Sequence, residues 1–332
     1  MPSSDTQLKS PPWQQNAEGE IRCVGVELEM NGLDLDSLAD QVAKHFDLGI
    51  KSDGRYERRL TGDPAGDWMV ELDYRFLKEI GREKRNNETL ADQVNRSAED
   101  AFAWAAETLV PMEIVSPPLP LDRLGEIESL IARLREADAK GTSDRAINAF
   151  GMQLNPDLPS HDARMVTAFL KAFICLYDWL LMRSNIDISR RVTAYIDPFP
   201  ASYIKKLLQA DYWPDLESLI DDYLRDNPTR NRALDMLPLF MFLDEARVRA
   251  TADDPLIKAR PTFHYRLPDC RIDDPDWGLF VAWNDWIEIE RLAADEDRLK
   301  ACCNAYLDFL NRPFKRLFSR WAKAVEAEWL DR

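Results

Sequence analysis

The chain predicts an α+β fold: a curved, mostly antiparallel sheet, open on one face and surrounded by helices, with a helical C-terminal extension. Three observations carry this expectation. Several short segments alternate apolar and polar residues with the two-residue period of a half-buried strand. From His161 onward the apolar residues fall mostly at helical spacing. The polar positions of the alternating segments are rich in carboxylates and amides, which suits a sheet with one face on a core and the other facing water.

The first strand is Cys23 to Met30. Val24, Val26, Leu28 and Met30 share one face, and Glu27 and Glu29 share the other, about 7 Å apart. Asn31-Gly32 ends it, and Asp34 to Phe46 follows as a helix with Leu35, Leu38, Val42 and Phe46 on one side. Gly49 to Thr61 is a short basic strand or ribbon, and Gly62 to Gly66 is a turn. Trp68 to Phe76 alternates again, placing Glu71 and Asp73 on the polar side. Arg82 to Thr108 reads as mostly helix. Val110 to Val115 is a strand that points Glu113 away from Val110, Met112 and Ile114 and stops at Pro117-Pro118.

Leu121 to Ala139 is expected to be helical. Ala149 to Asn155 is a strand with Gln153 and Asn155 on its polar side. Ala163 to Arg183 is apolar nearly all round, so a buried helix is expected. Arg230 to Arg249 reads as helix, Thr262 to Leu267 as a strand bearing His264 and Arg266, and Trp277 to Trp329 as two or three Trp- and Leu-rich helices.

At 332 residues the chain is long enough for one large domain or two ordinary ones. The expected division is a flexible tail at 1–20, a main domain at 21–290, and a helical extension at 291–332 packed on it. A net charge of −16 argues against a nucleic-acid partner, since phosphate binding needs a basic surface. No apolar run is read as a membrane span of roughly 20 residues, and the N-terminus lacks the pattern of a secretory signal. Five scattered cysteines without zinc spacing suggest reduced thiols and a cytoplasmic protein. No G-x-S-x-G elbow, P-loop or G-x-G-x-x-G is present, so hydrolase and Gly-cradled nucleotide chemistries are disfavoured.

The polar strand positions converge on Glu27, Glu29, Glu71, Asp73, Glu113, Gln153, Asn155, His264 and Arg266. Glu27 and Glu29 alone would suit a solvated edge strand. With Asp73 and Glu113 as companions they suit a cation site, because clustered carboxylates need a compensating charge. Glu71 reads as a solvated neighbour of Asp73.

Gly25-Val26-Glu27-Leu28-Glu29, Trp68 followed by Asp73, and Glu113-Ile114-Val115-Ser116-Pro117-Pro118 form an ordered series. It resembles the amidoligases, relatives of glutamate–cysteine ligase and, more distantly, glutamine synthetase. Arg230 to Met236 is similar to that family's R-x-x-x-L-N segment, with Asp235 in place of Asn. His264-Tyr265-Arg266 is similar to its E-F-R strand. The family's G-x-H-[VI]-H strand is represented by Gly151-Met152-Gln153-Leu154-Asn155, so two amides replace two histidines and His264 replaces a glutamate.

The resemblance implies a glutamine synthetase-like sheet and an ATP-dependent ligase that joins an amino-acid or peptide carboxylate to a small-molecule amine through an acyl phosphate. Under it, Glu27, Glu29, Asp73, Glu113, Gln153 and His264 are the metal ligands, for Mg²⁺ or Mn²⁺ in its place. Arg266, Glu29 and Asp73 are the catalytic residues, and Arg232, Arg266 and Arg191 bind the nucleotide. The replaced residues leave a second expectation, a catalytically weakened relative that binds a nucleotide or peptide. Oligomeric state is left open.

Overall fold

A computed structural model describes residues 6–72, 110–142, 150–184, 197–252, 254–312 and 320–330. Nine strands form one antiparallel sheet that does not close into a barrel: β1 (Cys23–Met30), β2 (Gly49–Gly54), β3 (Glu57–Thr61), β4 (Trp68–Leu72), β5 (Met112–Val115), β6 (Leu119–Pro120), β7 (Met152–Pro156), β8 (Leu234–Asp235) and β9 (His264–Tyr265). Their order is β2-β3-β4-β5-β1-β7-β9-β8, with β6 also on β1. The opening strand is therefore central, with β5 on one side and β7 on the other.

The end of β5 shows how Ser-Pro-Pro serves the ladder. Prolines 117 and 118 cannot donate, so Ser116 carries the pairing: its N–H donates to the Val26 carbonyl, and its hydroxyl accepts from the Val26 N–H at 2.8 Å. The chain then returns to β1 as β6, with Leu119 opposite Val24.

The apolar face of β1 lies under helices. Val24, Val26, Leu28 and Met30 are buried, packed with α1 (Leu35–Phe46) and α2 (Leu124–Glu136) through residues such as Leu38, Val42, Ile127 and Ile131. Asp34 caps α1 by accepting from the Ser37 N–H. In the turn before β4, the buried side chain of Asp63 accepts from Arg123, from the Ala65 N–H and from the Trp68 indole, and these donors hold its carboxyl down at about 2.

The other half of the core is built on α3 (Ala163–Arg183), whose Phe169 and Phe173 pack on Phe263 and Tyr265 around β9. By length and composition α3 could cross a membrane, contrary to expectation: its mean hydropathy reaches 1.6, yet 78% of that window is buried inside the protein. Short helices α4 (Ala201–Leu207), α5 (Leu216–Asp226), α6 (Leu237–Leu243) and α7 (Glu245–Thr251) follow, then α8 (Leu279–Ala294), α9 (Glu296–Asn311) and α10 (Trp321–Ala324). Trp283 and Trp286 of α8 are buried, as aromatics at helical spacing should be.

Two expectations are corrected. Arg230 to Arg249 is not one helix: residues 234–235 form edge strand β8, and Pro238 in the first turn and Asp244 as a cap break the remainder into α6 and α7. Helix α2 begins at Leu124 after a short 3₁₀ turn. Gly49 to Thr61, expected as a strand or ribbon, is a two-stranded ribbon, with β2 exposed at the sheet edge. Near the N-terminus, residues 7 and 9 meet α8. The Gln7 and Lys9 carbonyls accept from Asn284 and Trp283 of α8, and Lys9 Nζ lies 2.7 Å from Glu288 Oε1. The expected continuation of β4 to Phe76 and the helix at 82–108 lie outside the described residues.

Candidate active site

The registers put the polar residues in rows across the sheet. Glu57 of β3 lies opposite Glu71 of β4, Glu71 opposite Glu113 of β5, and Glu113 opposite Glu29 of β1. Like charges directly opposed destabilise a sheet, so a row of four glutamates on adjacent strands demands positive charge. In the next row Glu27 lies opposite Gln153. In the third, Gly25 lies opposite Asn155, and the pairing of Leu154 with Tyr265 brings Asn155 beside His264, which in turn opposes Asp235.

This face is polar, but it is not open as expected. Glu27, Glu113, Gln153, Asn155 and His264 are all buried, and Glu29 is half-buried. Buried polar groups need partners, and here the two amides supply them. Gln153 Nε2 donates to Glu29 Oε1 at 2.9 Å, and the Gly151 N–H donates to Glu29 Oε2 at 2.7 Å. Asn155 Nδ2 donates to Glu27 Oε1 at 3.0 Å, and Arg260 Nη1 reaches the same oxygen at 2.9 Å. Gly25 lies against this amide; a Cβ there would stand 3.4 Å from Asn155 Cβ, in ordinary contact.

With its nitrogen turned to Glu27, Asn155 presents Oδ1 to His264 Nδ1 at 2.7 Å. An amide oxygen only accepts, so Nδ1 carries the proton in this contact. His264 thus belongs to a chain running from Arg260 through Glu27 and Asn155.

Among the described residues, three buried atoms on β7, β8 and at the end of β9 have no hydrogen-bond partner: Gln153 Oε1, Asp235 Oδ2 and Arg266 Nε. Arg266 is anchored through Nη1, which donates to the Arg230 carbonyl. Asp235 Oδ1 accepts from the Leu237 N–H at 3.0 Å. Burial pushes the Asp235 carboxyl up to about 6, opposed chiefly by the charge of Arg266.

Sequence-predicted Glu27, Glu29, Glu113, Gln153, His264 and Arg266 are brought onto one face. Arg232 is not joined to them by any of these bonds. Its guanidinium is spent on Asn227 Oδ1 and the Pro198 and Asp226 carbonyls, and it lies over the Phe199 ring. Asp73 and Arg191 lie outside the described residues. Glu57 carries no signal in the alternation, Glu71 reads from sequence as a solvated neighbour, Asp235 enters only through the resemblance, and Arg260 ranks from sequence as a weaker candidate for phosphate or substrate carboxylate. A pattern of alternation reports which face a residue is on, while cross-strand register, which links Glu57 and Glu71 to Glu113, is not in the pattern.

Among the described residues no group of three or more His, Cys, Asp or Glu forms a metal cluster. The donor chemistry nevertheless suits a hard cation. Glu29 and Glu113 are cross-strand neighbours, and the Gln153 amide, with its nitrogen committed to Glu29, leaves a buried oxygen unsatisfied. A family model described as "putative amidoligase enzyme" matches residues 20–288. No curated protein matches the chain.

Proposed function

The chain belongs to the amidoligase family, and from that premise we propose that it is an ATP-dependent carboxylate–amine ligase acting at the polar face of the sheet. The observation that carries this reading is the acceptor-rich center around Glu29. Carboxylates line up from β3 to β1, and beside them Gln153 Oε1 has no donor. Such a center favours a cation, and phosphoryl transfer needs one.

A carboxylate is a poor acylating agent because it would have to expel oxide. Phosphorylation by ATP turns that oxygen into a leaving group, and an amine then attacks the carbonyl. Mg²⁺, or Mn²⁺ in its place, would be held by Glu29, Glu113 and the Gln153 oxygen, with Asp73 following β4; when bound it neutralises phosphate charge. Arg266 is the residue proposed to stabilise the phosphoryl group in transit, its guanidinium oriented by the Arg230 carbonyl and its Nε still available. Glu27 positions Asn155 and, through it, His264. The substrates are an amino-acid or peptide carboxylate and a small amine.

The test is phosphate release from ATP across carboxylate–amine pairs. Release that depends on both partners and is lost in Glu29→Ala supports the reading; full activity in Glu27→Ala/Glu29→Ala overturns it. The second reading, a weakened relative that binds a nucleotide or peptide, is favoured by Gln153 and Asn155 serving as hydrogen-bond partners of the glutamates. Tight Mg·ATP binding without turnover in any pair would select it.

A further inference from the structure

On the helical side of the molecule, α3 and α9 meet at three buried thiols, Cys175 of α3 and Cys302 and Cys303 of α9. Cys175 Sγ and Cys303 Sγ are 3.7 Å apart and hydrogen-bonded. Thiols packed between helices are ordinarily inert fillers. Two features set this pair apart. Cys303 lines a cavity of about 90 Å³ that is lined also by the exposed residues Glu296 and Lys300, so this residue, unlike Cys175, borders a space that reaches the surface. A water's share of liquid volume is about 30 Å³, so the cavity has room for a reactant of a few heavy atoms.

The same cavity is lined by Lys171, a lysine on α3 that is almost wholly buried. Its Nζ donates to the Gln209 carbonyl at 2.9 Å and sits 4.3 Å from the Trp213 ring center. The amine is therefore held at the cavity that Cys303 lines, where a carbonyl and a ring face support its charge against the burial that lowers its pKa. The two sulfurs are also polarised in opposite senses. The Cys175 hydrogen bond, then the Lys171 charge, lower Cys303 below the ordinary thiol range, whereas burial raises Cys175 well above it.

We propose that Cys303 and Cys175 are a peroxide-reactive dithiol, with Cys303 the attacking sulfur and Cys175 the resolving one. In the first step the Cys303 thiolate attacks one oxygen of a hydroperoxide. The O–O bond breaks, the second oxygen leaves as an alcohol or water after taking a proton, and Cys303 becomes a sulfenic acid. In the second, Cys175 loses its proton and attacks the Cys303 sulfur, the S–O bond breaks, and water leaves. The dithiol is oxidised by two electrons and the hydroperoxide is reduced by two. The sulfurs must close from 3.7 Å to about 2.05 Å, which cross-links α3 to α9.

The experiment treats the full chain with one equivalent of hydrogen peroxide, then unfolds it in N-ethylmaleimide and maps the peptides by mass spectrometry. The expected product is a Cys175–Cys303 disulfide, reversed by dithiothreitol and formed before the half-buried Cys23 is oxidised. In Cys175→Ser the sulfenic acid should persist and be trapped by dimedone on Cys303, and Lys171→Met should slow its formation. Oxidation of Cys23 with Cys175 and Cys303 recovered as thiols overturns the proposal, as does a disulfide between Cys175 and Cys302. Because the wild-type map decides the matter, a variant that fails to fold does not rescue it.

Discussion

The Gln153 amide donates to Glu29 Oε1 at 2.9 Å and keeps its own oxygen buried without a donor. One side chain thus orders a carboxylate and adds an acceptor beside it. Asn155 does the first of these for Glu27 and passes its oxygen to His264. Where the family's pattern has two histidines, this chain uses two amides to hold the glutamates of the central strand.

Removing the second amide should cost stability. Asn155→Leu leaves Glu27, 2% exposed, with Arg260 but without its amide donor, and strips His264 of its acceptor. A loss of about 1–3 kcal/mol in urea unfolding is expected. An unchanged midpoint would show that the chain from Arg260 to His264 does not contribute.

Activity should depend on position along the glutamate row. Glu29→Gln and Glu113→Gln are each expected to lower amine-dependent phosphate release by at least about a hundredfold. Glu57→Gln, at the far end on β3, should change it much less. Equal effects at all three positions would argue that the row acts as a diffuse field and that no center lies at Glu29.

Asp235 makes a pH prediction. Its native carboxyl, at about 6, lies above the ordinary 3.8, so between these values the native state holds a proton that the unfolded state has lost. Stability from this group is therefore present below about 4 and is lost as pH rises through 6. Asp235→Asn should be more stable at pH 7 by on the order of 1–3 kcal/mol and should show a shallower decline between pH 4 and 6. Asp285, also pushed up to about 6 by burial, keeps some slope in the variant. Identical slopes in the two proteins would refute the assignment.

Arg22 and Glu290 form a fully buried two-pronged pair joining the start of β1 to α8, with Trp286 Nε1 donating to the same carboxylate. Arg22→Met strands a buried charge, and a loss of about 3–5 kcal/mol by chemical denaturation is expected. Arg22→Met combined with Glu290→Leu should recover much of it, since an apolar pair of similar volume removes both desolvation costs. If the double variant is no better than the single, the Trp13 and Asp157 carbonyls and the Trp286 indole left without partners outweigh the desolvation removed with the pair.

Much of the fold was legible because burial on one face leaves a period. Val24, Val26, Leu28 and Met30 alternate with the residues of the opposite face, and β1 spans the range their alternation marks. Helix α3 likewise occupies the apolar run with Asp162 as its cap. Arg230 to Arg249 misled because isolated apolar positions near a helix allow helix and strand alike; pairing with Tyr265 made Leu234 and Asp235 a strand.

The candidate site divides in the same way. The sequence by itself determined which residues face away from the core, because side-chain direction is a local property of an extended chain. It could place Glu27, Glu29, Glu113, Gln153 and His264 on polar faces without knowing their neighbours. Only the tertiary structure decided that Glu57 and Glu71 stand in register with Glu113 and Glu29, that Arg232 is committed to carbonyls elsewhere, and that the polar face is buried. Register and burial come from strands far apart in the chain, and no short-range pattern encodes which of them meet.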